Sequence, residues 1–128
     1  MSRAEYRDNI MSLVEENELR AVTGISEIER ARISDFLQGA VYCWCKNKPK
    51  EWFSLRDLMG GANFDWRGTP LQPLFLKHEG VNEDPTKEAG KDCGWLLKSV
   101  IANDRRVFDT KKEELTRKYL WMSGDGDT

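Results

Sequence analysis

The chain has 128 residues, of which 39% are hydrophobic and 33% charged, and its formal net charge at pH 7 is -2. This length fits one domain with one core, and the apolar content is too high for a chain that stays unfolded. The sequence shows no apolar run of the roughly 18 residues that a membrane-spanning helix needs and no secretory signal, so we expect a soluble cytoplasmic protein. The cysteines Cys43, Cys45 and Cys93 predict free thiols, because an odd number in a chain of this size does not suggest a disulfide framework.

The first predicted helix covers residues 2–18 and carries apolar residues on one face at helical spacing. We interpret residues 1–25 as an accessory segment whose apolar face pairs two copies of the chain into a homodimer. The residues of this dimerisation face are Tyr6, Ile10, Leu13 and Val14.

The second predicted helix is the core helix of the domain. Ser26 and Glu29 have the spacing of a capping box, which opens a helix. Apolar residues then keep the helical period over three turns, and Pro49 lies in the stretch that breaks the helix. The apolar positions are Ile33, Phe36, Leu37, Ala40, Val41 and Trp44.

The middle of the chain is predicted to contain short elements. Residues 51–53 fit a short strand, and Ser54 is a suitable N-cap for a helix over residues 55–59 that ends at two glycines. Thr69 and Pro70 open a further helix over residues 71–78. The stretch 60–84 either covers the core or recruits a partner, and the residues alone do not decide between the two.

A long helix is predicted from Asp84 and Pro85 to about Asn103, because an N-cap residue followed by proline is a strong helix start. One face is apolar and is expected to meet the core. It carries Ala89, Cys93, Leu96, Leu97, Val100 and Ile101. The opposite face is expected to point outward and carries Lys87, Lys91, Trp95, Lys98 and Ala102.

A β-hairpin is predicted after this helix. Residues 105–110 and 115–121 are rich in β-branched and aromatic residues, and 111–114 form a charged tip between them. A helix beginning at Thr110 also fits, because Thr110 and Glu113 have capping-box spacing. Residues 123–128 are expected to form a disordered tail.

Several kinds of catalytic or metal site are not supported by the sequence. His78 is the one histidine, and a helix-terminal or exposed position is the simplest interpretation of it. Cys43 and Cys45 point about 200° apart on a helix, so they cannot share a metal ion. No phosphate-binding loop pattern is present. We therefore expect no cofactor, no metal and no enzymatic activity, with a small nuclease as the enzyme alternative.

The order of these elements is core helix, extended piece, short helix, connecting segment, long helix and hairpin. This order resembles the winged helix-turn-helix superfamily over residues 26–122, although the stretch 60–84 departs from its compact pattern. The resemblance implies a mainly α domain with a small β-hairpin and here an extra N-terminal helix. It also implies that the helix 85–103 enters the major groove of duplex DNA while the hairpin lies against the backbone.

Positive charge collects where this resemblance places DNA: residues 87–118 hold nine basic and six acidic side chains. Lysine and arginine there suit phosphates, whereas donors typical of base recognition are missing from the outward helix face. Trp95 either packs beneath a neighbouring segment or contacts the ligand. The proposed DNA-binding residues are Lys87, Lys91, Trp95, Lys98, Arg105, Arg106, Lys111, Lys112, Arg117 and Lys118.

The sequence thus favours a non-enzymatic DNA-binding regulator or accessory factor. The alternative is a protein-interaction domain or inhibitor that docks on a larger protein through an aromatic-rich surface including Trp66 and Trp95. Salt dependence distinguishes the two, because phosphate contacts weaken steeply with ionic strength.

Overall fold

The computed structural model of the chain describes residues 19–61 and 63–124. These residues form four helices followed by an antiparallel hairpin, so the expectation of a mainly α domain with a small hairpin is confirmed. The elements are α1 (Glu27–Asn47), α2 (Leu55–Leu58), α3 (Gln72–Leu76), α4 (Pro85–Asn103), β1 (Arg106–Glu113) and β2 (Thr116–Gly124).

The N-terminal helix expected over residues 2–18 lies outside the described residues, and with it the proposed dimerisation residues Tyr6, Ile10, Leu13 and Val14. The described part of the accessory segment, residues 19–25, contains no helix. Val22 is buried with the core of the domain, so this segment packs on the same core as the elements that follow it.

The helix α1 begins where its capping box predicts. Ser26 Oγ accepts a hydrogen bond from the Glu29 amide at 3.0 Å, and Glu29 Oε1 accepts one from the Ser26 amide at 2.8 Å. These two bonds satisfy amides that the first turn leaves without partners. The helix buries a row of residues at a spacing of four: Ile33, Leu37, Val41 and Cys45.

The helix α4 has the bounds that the sequence predicts. Asp84 Oδ1 accepts a hydrogen bond from the Lys87 amide at 3.1 Å, and Pro85 occupies the first turn. All six residues predicted to face the core are buried. With this face α4 packs against α1 and α3, and the three helices enclose the core.

The short elements between α1 and α4 cover this core. Ser54 and Asp57 form the capping box of α2. The helix α3 is shorter than predicted at both ends, because Thr69 Oγ1 caps the turn before it by accepting from the Leu71 amide, and tight turns follow Leu76. Leu71 and Leu74 are fully buried. The stretch 60–84 therefore contributes directly to the core.

The hairpin is confirmed, and the alternative helix from Thr110 is wrong. Glu113 pairs with Thr116, so the turn consists of Glu114 and Leu115, and residues 111–113 belong to β1 rather than to a tip. The strand β2 runs to Gly124, so the tail expected from residue 123 begins too early, and residues 125–128 lie outside the described part.

The predicted strand over residues 51–53 is reduced to one bridge. Phe53 exchanges two backbone hydrogen bonds with Tyr119 of β2, at 2.9 and 2.8 Å. The rings of Phe53, Phe108 and Tyr119 pack together, with the Phe53 centroid 6.2 Å from that of Phe108 and 5.9 Å from that of Tyr119. These contacts fix the hairpin to the helical core.

No helix among the described residues is both long and apolar enough to cross a membrane.

Candidate nucleic-acid interface

A groove of about 950 Å³ opens beside α4. One wall is the stretch from Asp84 to Lys98, a second is α2 with the residues that follow it as far as Trp66, and a third is the tip half of the hairpin. The groove therefore lies between the two elements to which the sequence assigned DNA contacts, the long helix and the hairpin.

Basic side chains predominate among the charged residues that line this groove. Seven of its lining residues are basic, whereas Asp84 is the one acidic residue in the described lining. This is a strong local concentration in a chain whose net charge is -2. Low-dielectric walls focus the field of such charges into the concave space. The basic residues are Arg20, Arg56, Lys87, Lys91, Lys98, Lys112 and Arg117.

The helix α4 contributes exposed lysines to the groove, together with two glycines that leave its backbone without side chains there. Lys87 and Lys91 are exposed, and Lys91 Nζ lies 3.4 Å from Glu88 Oε1. Gly90 and Gly94 line the groove, and a Cβ atom at either position would meet nothing within 4 Å. Helix-interior glycine costs roughly 0.5–1 kcal/mol relative to alanine, and no packing against the described residues requires it at these sites.

The face of α4 that is expected to point outward is exposed to solvent only in the N-terminal half of the helix. Lys98 is 6% exposed and Ala102 is 3% exposed, so the expectation that both point into solvent is wrong. The covering group at Trp95 is Arg20, whose Cζ lies 5.2 Å from the Trp95 ring centroid, while Lys98 Nζ lies 5.1 Å from it. Trp95 is half-buried and holds these two cations by cation–π contacts.

The hairpin carries two cross-strand pairs of like charge. A carboxylate partly neutralises the charge of one pair, and no carboxylate among the described residues forms an ion pair with the other. Lys111 pairs with Lys118, and Glu113 lies between them, with oxygen–nitrogen distances of 3.2 and 2.9 Å. The hydrogen bonds from Lys118 and Lys111 hold the pKa of Glu113 below its usual range. Lys111 also lies over the Trp52 ring, with Nζ 4.2 Å from the centroid.

The pair that faces the groove is Lys112 and Arg117. Neither takes part in any of the ion pairs found between described residues. Arg117 donates to Thr110 Oγ1 at 3.3 Å, a neutral acceptor. Like charges placed directly opposite on one face of a hairpin destabilise it, so this arrangement suits an anion that binds between them.

Arg106 was expected to reach a phosphate, and this expectation is wrong. Its side chain is 1% exposed, and Nη1 lies 2.9 Å from Asp104 Oδ2. The guanidinium also lies 4.2 Å from the ring centroid of Tyr42, and Gln38 Nε2 donates to Asp104 from α1 at 2.7 Å. Arg106 thus ties the end of α4 to β1. Arg105, its neighbour, is exposed at the bend before β1 and does not line the groove.

Leu115 stands at the tip of the hairpin and also lines the groove. It is 89% exposed, and its φ is 66°, while Glu114 before it has a φ of 51°. Turns that need two residues with positive φ are dominated by asparagine, aspartate and glycine. A leucine there costs roughly 1–2 kcal/mol of backbone strain and gains nothing from burial.

Sequence reasoning missed one wall of the groove. Phe64 and Trp66 follow α2 and pack edge to face, with centroids 5.4 Å apart and planes at 80°. Arg56 on α2 and Arg20 before α1 also line the groove and were not predicted. Trp66 lies in the stretch 60–84, which departs from the compact pattern of the winged helix-turn-helix superfamily. No local sequence pattern shows that this segment faces α4.

The described residues contain no group of three or more side chains suited to hold a metal ion. His78 lies two residues past the end of α3, a helix-terminal position as predicted. Its side chain is 17% exposed, and Nε2 lies 2.7 Å from Asp92 Oδ2, which also contacts Lys77 Nζ at 2.8 Å. All three cysteines are free thiols. Burial raises the pKa of Cys45 to about 11 and that of Cys93 to about 12, so neither is an activated nucleophile.

No protein-family model, curated protein or solved structure matches this chain.

Proposed function

We propose that the chain is a non-enzymatic DNA-binding domain that holds duplex DNA by its phosphate backbone. Lys87 and Lys91 on α4 and Lys112 and Arg117 on the hairpin contact phosphates from two walls of one groove. The observation that carries this proposal is the charge of the lining, where seven basic residues accompany one acidic residue. A polyanion is the ligand that such a surface attracts and retains.

The winged-helix arrangement is part of this proposal. It is supported by the order of the elements, with a long helix followed directly by a hairpin. It is also supported by the bridge between Phe53 and Tyr119, which joins the extended residue before α2 to the same sheet as the hairpin. In this arrangement α4 and the hairpin contact one stretch of DNA together.

The mode of contact differs from that expected for an open recognition helix. The basic half of α4 forms a wall of a groove, and its other half is covered at Lys98 and Ala102. The helix offers lysines and no Arg, Asn or Gln among its groove-lining residues. Contacts to phosphates position a protein on DNA without reading base edges, so we propose binding with little sequence preference.

Charge reversal on α4 tests the assigned surface. The double variant Lys87→Glu with Lys91→Glu removes two phosphate contacts, and we expect the affinity for a duplex of random sequence to fall at least tenfold in fluorescence anisotropy titrations. A glutamate at residue 87 lies near the N-terminus of α4, where negative charge is favourable, so the fold should persist.

The matched control is Arg32→Glu with Lys50→Glu, which makes the same change in net charge at two exposed residues outside the groove. We expect this control to retain most of the affinity. If both double variants lose the same affinity, binding follows net charge alone and the assigned surface is wrong.

A further inference from the structure

Two features of the groove are not explained by contacts to the phosphates of an intact duplex. The first is Leu115, an apolar side chain that is 89% exposed at the hairpin tip and held at a φ of 66°. Phosphates gain nothing from a leucine. The position suits an apolar wedge, and proteins that bend or open DNA insert such side chains between base pairs.

The second feature is a pair of aromatic side chains in the segment that follows α2. Phe64 and Trp66 are half-buried and line the groove. In a duplex the bases are stacked on one another inside the helix, so aromatic rings on a protein wall have no base faces to contact. An unpaired strand exposes its base faces, and a positively charged groove with aromatic side chains is the usual arrangement for binding one.

Trp95 is not the ring that serves this purpose. Arg20 and Lys98 already lie 5.2 and 5.1 Å from its centroid, so Trp95 holds cations at the groove instead of presenting a free face to a base. Tyr119, another aromatic residue of the lining, is 2% exposed, so Phe64 and Trp66 are the half-buried aromatic pair that remains in the described lining.

We propose that the domain binds DNA where the two strands of a duplex separate. Leu115 packs on the last base pair, and one unpaired strand enters the groove with its phosphates between α4 and the Lys112 and Arg117 pair and a base on Trp66. This inference rests on the proposed DNA-binding function and specifies the form of DNA that the site prefers.

The residues of this path line one groove. Leu115 lies on the same hairpin end as Lys112 and Arg117, and all three line the groove that Trp66 also lines. A strand that leaves the duplex at Leu115 therefore meets, within one groove, the aromatic side chains and the two cations that lack a carboxylate partner among the described residues.

Fluorescence anisotropy with two ligands tests the inference: a blunt duplex, and the same duplex extended by two non-complementary single-stranded arms. We expect the wild-type chain to bind the forked DNA about tenfold more tightly than the blunt duplex. Equal affinities would overturn the inference while leaving the proposed function in place. Absence of binding to either ligand would overturn both.

Leu115→Gly identifies the wedge without risk to the fold, because glycine adopts a positive φ without strain. This variant should keep the affinity for the blunt duplex, lose most of the tenfold preference for the fork and unfold no more easily than the wild type. A preference that survives in Leu115→Gly would overturn the role of Leu115 as the wedge.

Trp66→Leu tests whether Trp66 is the ring on which the unpaired base stacks. The readout is the fluorescence of the DNA, which unfolding of the variant would not quench. A 2-aminopurine placed as the first unpaired base should lose fluorescence when the wild type binds, because stacking on an indole quenches it, and should lose less with Trp66→Leu at saturating protein. Equal quenching by both would exclude Trp66 as the stacking ring. Circular dichroism confirms that the variant compared is folded.

Discussion

Asp104 and Arg106 form a buried ion pair where α4 passes into β1. Their side chains are 2% and 1% exposed, and Gln38 on α1 donates to the same Asp104 oxygen. Removing a guanidinium from water costs free energy, and the attraction of a buried carboxylate offsets that cost. If the carboxylate is lost, the cost remains without the attraction. The stability of the junction between helix and hairpin therefore depends on both partners.

We expect Asp104→Ala to lower the free energy of unfolding by about 3–5 kcal/mol, measured by denaturant titration. Asp35→Ala, at an exposed position of α1, is the control and should change it by less than about 0.5 kcal/mol. A change in Asp104→Ala no larger than in the control would show that water or another group compensates Arg106 in solution.

Residue types alone did not distinguish the structural cations from those at the surface. Arg106 and Lys98 were assigned to DNA with the other basic residues, yet both are buried. Arg106 contacts the nearby Asp104, and Lys98 contacts the nearby Trp95. Tyr42 and Arg20 add contacts to Arg106 and to Trp95 from distant segments of the chain. Such contacts between distant segments leave no local sequence signal.

Gly90 and Gly94 matter at the scale of the helix. The helix α4 forms with both its predicted ends despite two glycines in its interior, because Asp84 caps it and its apolar face is fully buried. Side chains at these two positions would project into open space beside the groove wall. The two glycines therefore leave the α4 side of the groove free of side chains at these positions, and they lower the stability of the helix.

Gly94→Gln is expected to raise the free energy of unfolding by about 0.5 kcal/mol, because glutamine is a better helix former than glycine. The same change should weaken DNA binding severalfold, because the new side chain occupies the groove. Denaturant titration and anisotropy measure the two effects.

Gly39→Gln is the matched control on α1, where a Cβ atom also meets no described atom within 4 Å and the residue does not line the groove beside α4. It should raise stability by a similar amount and leave binding unchanged. An unchanged affinity in Gly94→Gln would place the DNA elsewhere on the domain.

Elements whose signals are local were predicted well. The capping box of Ser26 and Glu29, the start of α4 at Asp84 and Pro85, and its buried face are each encoded within a few residues. The hairpin turn was misplaced because Glu114 and Leu115 are not residues that normally form it. The turn is positioned by the register of the strands and by the packing of Tyr119 on Phe53 and Phe108.

At the scale of the whole molecule, two walls of the groove follow from the sequence and one does not. The long helix and the hairpin were predicted as basic elements beside each other, and they form two walls. The third wall with Phe64 and Trp66 depends on how residues 60–84 fold over the core. This wall changes the expected ligand from an intact duplex to DNA with an unpaired strand.

The central claim is that phosphates bind in this groove, and the salt dependence of the affinity tests it most directly. We would measure the binding constant for the forked DNA from about 50 to 200 mM NaCl, where release of counterions from neutralised phosphates dominates. Contacts from Lys87, Lys91, Lys112 and Arg117 predict a slope of log K against log salt of about -3 to -4. A slope near zero would contradict phosphate binding in the groove, and absence of binding at both salt concentrations would make an aromatic protein-binding surface the better account of it.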